Sequence, residues 1–113
     1  MDIINEVLVK RGDRNIGLFS KTISMPAIPP IGTIVGFEKG IASVFIPVAR
    51  LTFRESDSMY KAHYVLDVDE KCIELEEFLD DSYYPVKLVE RCGFSICWME
   101  EEFDDLAAKL SNV

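Results

Sequence analysis

The stretch SVFIPVARLTFRESDSMYKAHYVLDV, residues 43–68, decides how this chain is read. Before the polar tetrapeptide Glu55-Ser56-Asp57-Ser58, the odd positions Phe45, Pro47, Ala49, Leu51 and Phe53 are apolar. After it, the even positions Tyr60, Ala62, Tyr64, Leu66 and Val68 are apolar. Period-two alternation on both sides of a turn-forming cluster marks a β-hairpin with one half-buried face. A two-residue or four-residue loop gives the same register, with Phe53 opposite Tyr60, Leu51 opposite Ala62 and Ala49 opposite Tyr64. Both apolar rows then share a face, and a one-residue slip would send one of them to the wrong side. Pro47 has no amide donor and marks an edge or a bulge.

The other face of this hairpin is basic. It carries Arg50, Thr52, Arg54, Lys61 and His63, with Arg50 opposite His63. Like charges directly opposite one another destabilise a strand pair, so an acidic group is expected close by.

Working outward, residues 2–10, 16–24 and 31–37 read as further strands. The turn Gly12-Asp13-Arg14-Asn15 and the proline-rich Met25-Pro26-Ala27-Ile28-Pro29-Pro30 separate them. After Asp69 the period changes. Residues 73–80 read as a short helix with Leu75, Phe78 and Leu79 on one side, and 86–92 as a second. A last helix capped by Ser95 spaces Ile96, Met99, Phe103, Leu106 and Leu110 as an a/d seam. The alternation of Phe94, Ile96 and Trp98 leaves a strand open over 93–98. The expected fold is α+β: about five mainly antiparallel, curled, barrel-like strands, followed by two or three C-terminal helices packed on one face. The expected organisation is a single domain, 1–113, with its sheet part in 1–68 and its helical part in 69–113.

Charge divides along the chain. Residues 1–54 carry seven Lys/Arg and four Asp/Glu, and residues 55–113 carry five Lys/Arg and sixteen Asp/Glu, which together give the net charge of −8. That balance disfavours nucleic acid, whose phosphates require clustered cations, and it disfavours anionic membrane surfaces. The sequence begins without a basic, apolar leader, and no apolar run approaches the ~18 residues of a membrane span. Cys72, Cys92 and Cys97, odd in number, fit reduced thiols in a cytoplasm. The basic hairpin face and the later acidic surfaces can neutralise each other within the fold, across a dimer or through a partner.

Few residues point to chemistry. His63 is the only histidine, so a His-dependent mechanism must use it. It is either a solvated group on a polar strand face or part of a small anion site with Arg50, Arg54 and Lys61. The basic neighbours would hold it neutral. Tyr60, Tyr64, Tyr83, Tyr84, Phe53 and Trp98 line either a core or a ligand pocket under a curled sheet. The cysteine spacings do not suit structural zinc, and Asp67, Asp69, Glu70 and Glu74 lack the glycine and terminal ligand of a calcium loop. No metal, cofactor or catalytic residue is therefore expected.

The segment Ile28-Pro29-Pro30-Ile31-Gly32-Thr33-Ile34-Val35, followed by a long hairpin, resembles small proteins of bacterial mobile elements of the integron gene-cassette type. The resemblance spans about residues 25–68. It implies a compact bacterial α+β domain, often self-associating, and transfers no catalytic residue because that group shares no chemistry.

The favoured reading of function is a non-enzymatic protein-interaction module. It would form a homodimer through Ile96, Met99, Phe103, Leu106 and Leu110, or present its acidic helices to a basic protein partner, as an immunity protein, antitoxin or inhibitor does. The alternative is a binding protein or enzyme for a small anionic ligand, with its site at Arg50, Arg54, Lys61, His63 and Tyr64. A third reading is mimicry of nucleic acid by the carboxylates of 67–81 and 100–105.

Overall fold

The computed structural model describes residues 1–39, 42–67, 92–101 and 108. All seven elements assigned among these residues are strands: β1 (Asp2–Arg11), β2 (Arg14–Ser24), β3 (Ile34–Lys39), β4 (Ala42–Pro47), β5 (Arg50–Arg54), β6 (Met59–Asp67) and β7 (Ser95–Met99). They form a five-stranded sheet in the order β5-β6-β1-β2-β7 and a two-stranded ribbon, β3-β4.

The hairpin register is set by the alternation in β5 and β6. Arg50 lies opposite His63, Leu51 opposite Ala62 and Phe53 opposite Tyr60 across a four-residue turn. Within that turn the amide of Met59 donates to Asp57 Oδ1 at 3.2 Å, and Arg54 closes an ion pair on Asp57. The expected strand over 43–54 is, however, two strands. Pro47 ends β4, the chain turns at Val48 and Ala49, and only Arg50–Arg54 pairs with β6. Val48 is buried, and its amide donates to the Thr33 carbonyl at 2.9 Å. The segment Ala42–Pro47 leaves the main sheet and pairs with β3 instead.

β1 and β2 form the other hairpin, joined at Gly12-Asp13. Gly12 sits at φ 59°, a left-handed conformation open to glycine without a Cβ clash. Its amide donates to Asp67 Oδ1 at 3.2 Å, which ties this turn to the end of β6.

The expected curled, barrel-like sheet with helices on one face is not what the described residues show. The sheet is open, with β5 and β7 at its two edges, and it is mixed, because β1 pairs with β6 in parallel from Ile3↔Tyr60 to Lys10↔Asp67. A parallel neighbour is normally signalled by an intervening helix. Here the crossover runs through β2, the ribbon and β5, so no such signal exists in the sequence. The expected helix beginning at Ser95 is also corrected. Ser95–Met99 is an edge strand antiparallel to β2, with a register shift that leaves Cys97 between Ile96, opposite Phe19, and Trp98, opposite Leu18. The 93–98 alternation therefore signals structure, and the three-four spacing across Ile96 and Met99 does not. The helix expected over 73–80, the one expected over 86–92 except for Cys92, and positions Phe103, Leu106 and Leu110 lie outside the described residues.

One face of the sheet holds the core. Ile3, Val7 and Val9 of β1, Phe19 of β2 and Ala62, Tyr64 and Leu66 of β6 are buried on it. The ribbon covers them with Phe37 and Ile46. Phe37 meets Tyr64 and Phe94 edge-on, each at 5.0 Å between ring centroids. Such perpendicular contacts add about 0.5–1.5 kcal/mol each beyond the area they bury. Asn5 is the one fully buried polar residue among those described. Its Oδ1 accepts from the Tyr64 hydroxyl at 2.7 Å, and its Nδ2 donates to the Ile3 carbonyl at 3.0 Å. Burial pushes the Tyr64 pKa up to about 12, so its hydroxyl stays a donor. Among the described residues no helix is long and apolar enough to cross a membrane.

Candidate functional site

The candidate site is built on the face of the sheet opposite the core. Alternation places Glu6 and Leu8 of β1, Leu18 and Ser20 of β2, and Lys61, His63 and Val65 of β6 on this side. Pairing converts these positions into two rows that cross the strands. One row is polar: Arg50, His63, Glu6 and Ser20, each opposite the next. The adjacent row is apolar: Val65, Leu8, Leu18 and Trp98, again each opposite the next. All members of the two rows except Ser20 line one cavity of about 460 Å³, together with Ala49 and Tyr64. That volume lies within the roughly 300–1,000 Å³ of small-molecule sites.

The expected acidic neighbour of the basic hairpin face is Glu6. Its Oε1 lies 3.2 Å from Lys61 Nζ and 3.7 Å from His63 Nδ1. All three side chains are largely buried, at 14%, 22% and 19% exposure, so this cluster feels less screening than a surface ion pair. The counter-charge thus comes from the N-terminal strand, carried there by the parallel pairing of β1 with β6. His63 Nε2 lies 2.9 Å from Thr52 Oγ1. With the Nδ1 proton towards Glu6, the Thr52 hydroxyl donates to Nε2.

His63 is held below its ordinary pKa. Burial is the main cause, the Arg50 guanidinium adds to it, Glu6 opposes it, and Lys61 lowers it further. The imidazole is accordingly neutral at neutral pH. Arg50, exposed at the start of β5, forms no ion pair with any described residue. Among the described residues the cavity therefore contains one cation without an ion-pair partner, one neutral imidazole and one carboxylate already engaged by lysine.

Lowering the pKa has a sign for stability. Above the ordinary value of 6.5, native and unfolded chains both carry a neutral His63, and the contribution is complete. As pH falls below 6.5, the unfolded chain takes up a proton that the native chain resists, and stability is lost until the folded pKa is passed. The His63→Gln variant should therefore lose less stability than the wild type between about pH 7 and 5. Urea midpoints measured across that range check this, and identical slopes for the two proteins would contradict it.

The residues expected to act together separate as follows. Arg50, Lys61 and His63 share the open face. Arg54 is on the same face but at the far end of the hairpin, where its Nε donates to Asp57 Oδ2 at 2.9 Å. Tyr64 faces the core, and Tyr60 packs beside Phe53 at 4.9 Å between centroids. Tyr83 and Tyr84 lie outside the described residues. Ile96 and Met99 pack against the core from β7. Cys92 is buried, whereas Cys97 is exposed, with its Sγ 3.3 Å from Ser20 Oγ. No group of three or more described His, Cys, Asp or Glu residues is placed to hold a metal ion.

Glu6, Leu8, Leu18, Ala49 and Val65 line the cavity without having been marked as site residues by the sequence. Glu6 had a signal in the like charges of Arg50 and His63, which called for an anion. The apolar row had none, because it exists only once β6, β1, β2 and β7 lie side by side. Compared with known families, curated proteins and solved structures, the chain matches none.

Proposed function

We propose that this protein binds a small anionic ligand in the cavity on the open face of its sheet. The observation that supports this most is the Arg50 guanidinium, unpaired among the described residues, at the rim of a cavity lined by Leu8, Leu18, Val65 and Trp98 together with Glu6 and His63. A guanidinium gains from a carboxylate or phosphate that matches its fork of donors. Lys61 is less available, being engaged by Glu6. His63 adds a neutral hydrogen-bonding group to the same rim. The exposed thiol of Cys97 favours a reducing setting.

This reading takes precedence over a homodimer or a docking module for a basic protein. The seam that argued for self-association loses Ile96 and Met99 to strand β7, where both pack on the chain's own core.

Thermal unfolding in the presence of acetate, benzoate, octanoate and phosphate tests the proposal. At least one should raise the melting temperature of the wild type, because a ligand that binds only the native state stabilises it by mass action. The gain should disappear in Arg50→Gln, whose substitution at an exposed position leaves the fold intact. A gain of equal size in the variant, or none with any anion, would overturn the reading.

A further inference from the structure

Resting on the anion-binding reading above, we infer that the ligand is an amphipathic monocarboxylate, with its carboxylate on Arg50 and its apolar body laid across the strands towards Trp98. The apolar part of the cavity is not a patch but a line. Val65, Leu8, Leu18 and Trp98 are successive cross-strand partners on β6, β1, β2 and β7. At about 4.8 Å between strands, the row runs about 14 Å from the first backbone to the last. Leu8 and Leu18 are partly buried and form its floor, while Val65 and Trp98, 41% and 40% exposed, stand at its two ends.

Polar side chains confine the row. On one side lie His63 and Glu6, two residues back along their strands. On the other lie Asp67 and Lys10, two residues on and opposite each other. A ligand that fills this channel is consequently elongated, or is a ring carrying a short chain. Its charge is set at the β5 end, where Arg50 stands opposite His63. A single negative charge fits best. A second would approach Glu6, which faces the same cavity and already holds Lys61. An inorganic anion would leave the apolar row empty, and an uncharged amphiphile would leave Arg50 unmatched.

Trp98 is the only tryptophan in the chain, so fluorescence excited selectively at tryptophan reports on the far end of this row. Titrating the wild type with acetate, butyrate, hexanoate and octanoate should give progressively tighter binding, by up to about fourfold per methylene buried. Trp98 emission should shift with the longer members. Octan-1-ol should bind about tenfold to hundredfold more weakly than octanoate, and Arg50→Gln should remove that difference. Val65→Asp, at an exposed position, should weaken octanoate without changing the circular dichroism spectrum.

The outcomes separate the two ideas. Phosphate that binds through Arg50 as tightly as octanoate, with no chain-length dependence, overturns the amphipathic class and leaves the anion site standing. Octan-1-ol binding as tightly as octanoate, with Arg50→Gln indifferent, overturns both. So does the absence of any binding at millimolar concentrations.

Discussion

Replacing Phe37 by alanine is expected to cost about 3–5 kcal/mol of stability, the usual range for deleting a buried aromatic ring. Phe37 is 1% exposed and joins the two sheets. Its ring meets Tyr64 of β6 and Phe94 before β7, and its carbonyl accepts from Cys92 Sγ at 3.5 Å. Removing the ring leaves a cavity between ribbon and sheet that neither can close alone, because both are held by their own ladders. Domains of this kind are commonly stable by roughly 5–15 kcal/mol, so the loss takes a large share of the total. Urea unfolding followed by circular dichroism measures it. Hydrogen exchange should show the β3 and β4 amides losing protection before those of β1 and β2. A loss under about 1 kcal/mol would mean that the ribbon does not seal the core.

The second large effect belongs to the buried polar pair. Tyr64→Phe removes one hydroxyl and leaves Asn5 Oδ1 in the core without its 2.7 Å donor. An unsatisfied buried acceptor costs about 1–3 kcal/mol. Asn5→Leu has the converse effect, leaving the Tyr64 hydroxyl without an acceptor. Both changes together remove the polar need on each side, so the double variant should be more stable than the sum of the single losses implies. Additive losses in this double-mutant cycle would show that the bond carries no coupling. The pair also bears on the site, because Asn5 and Tyr64 hold β1 against β6. That same pairing brings Glu6 beside His63.

These two cases also show what was legible in the sequence. The hairpin of β5 and β6 was readable to the residue, because alternation on both arms admits one register around Glu55-Ser56-Asp57-Ser58. Its polar face was readable for the same reason, together with the need for a nearby carboxylate. The identity of that carboxylate was not readable. Glu6 is 57 positions from His63, and nothing local marks Asp2–Arg11 as a parallel neighbour of Met59–Asp67. Pro47 signalled a discontinuity, but whether the strand bends or changes sheets depends on β3 offering a partner.

Ser95–Met99 carried two periods at once, and only the unpaired edge of β2 decides for the strand. Tyr64, expected at the site, is buried with its hydroxyl on Asn5 Oδ1. The apolar row was the least legible feature. Its four members come from four strands, and each alone is an ordinary partly exposed hydrophobe.

Backbone amide chemical shifts, mapped while octanoate is added, test the central claim most directly. The account predicts that the perturbed amides cluster on β5, β6, β1, β2 and β7 around Arg50, His63, Leu8, Leu18 and Trp98, with the ribbon unaffected. Perturbation centred instead on the exposed ribbon residues Ile34 and Phe45, or spread without a centre, would contradict it.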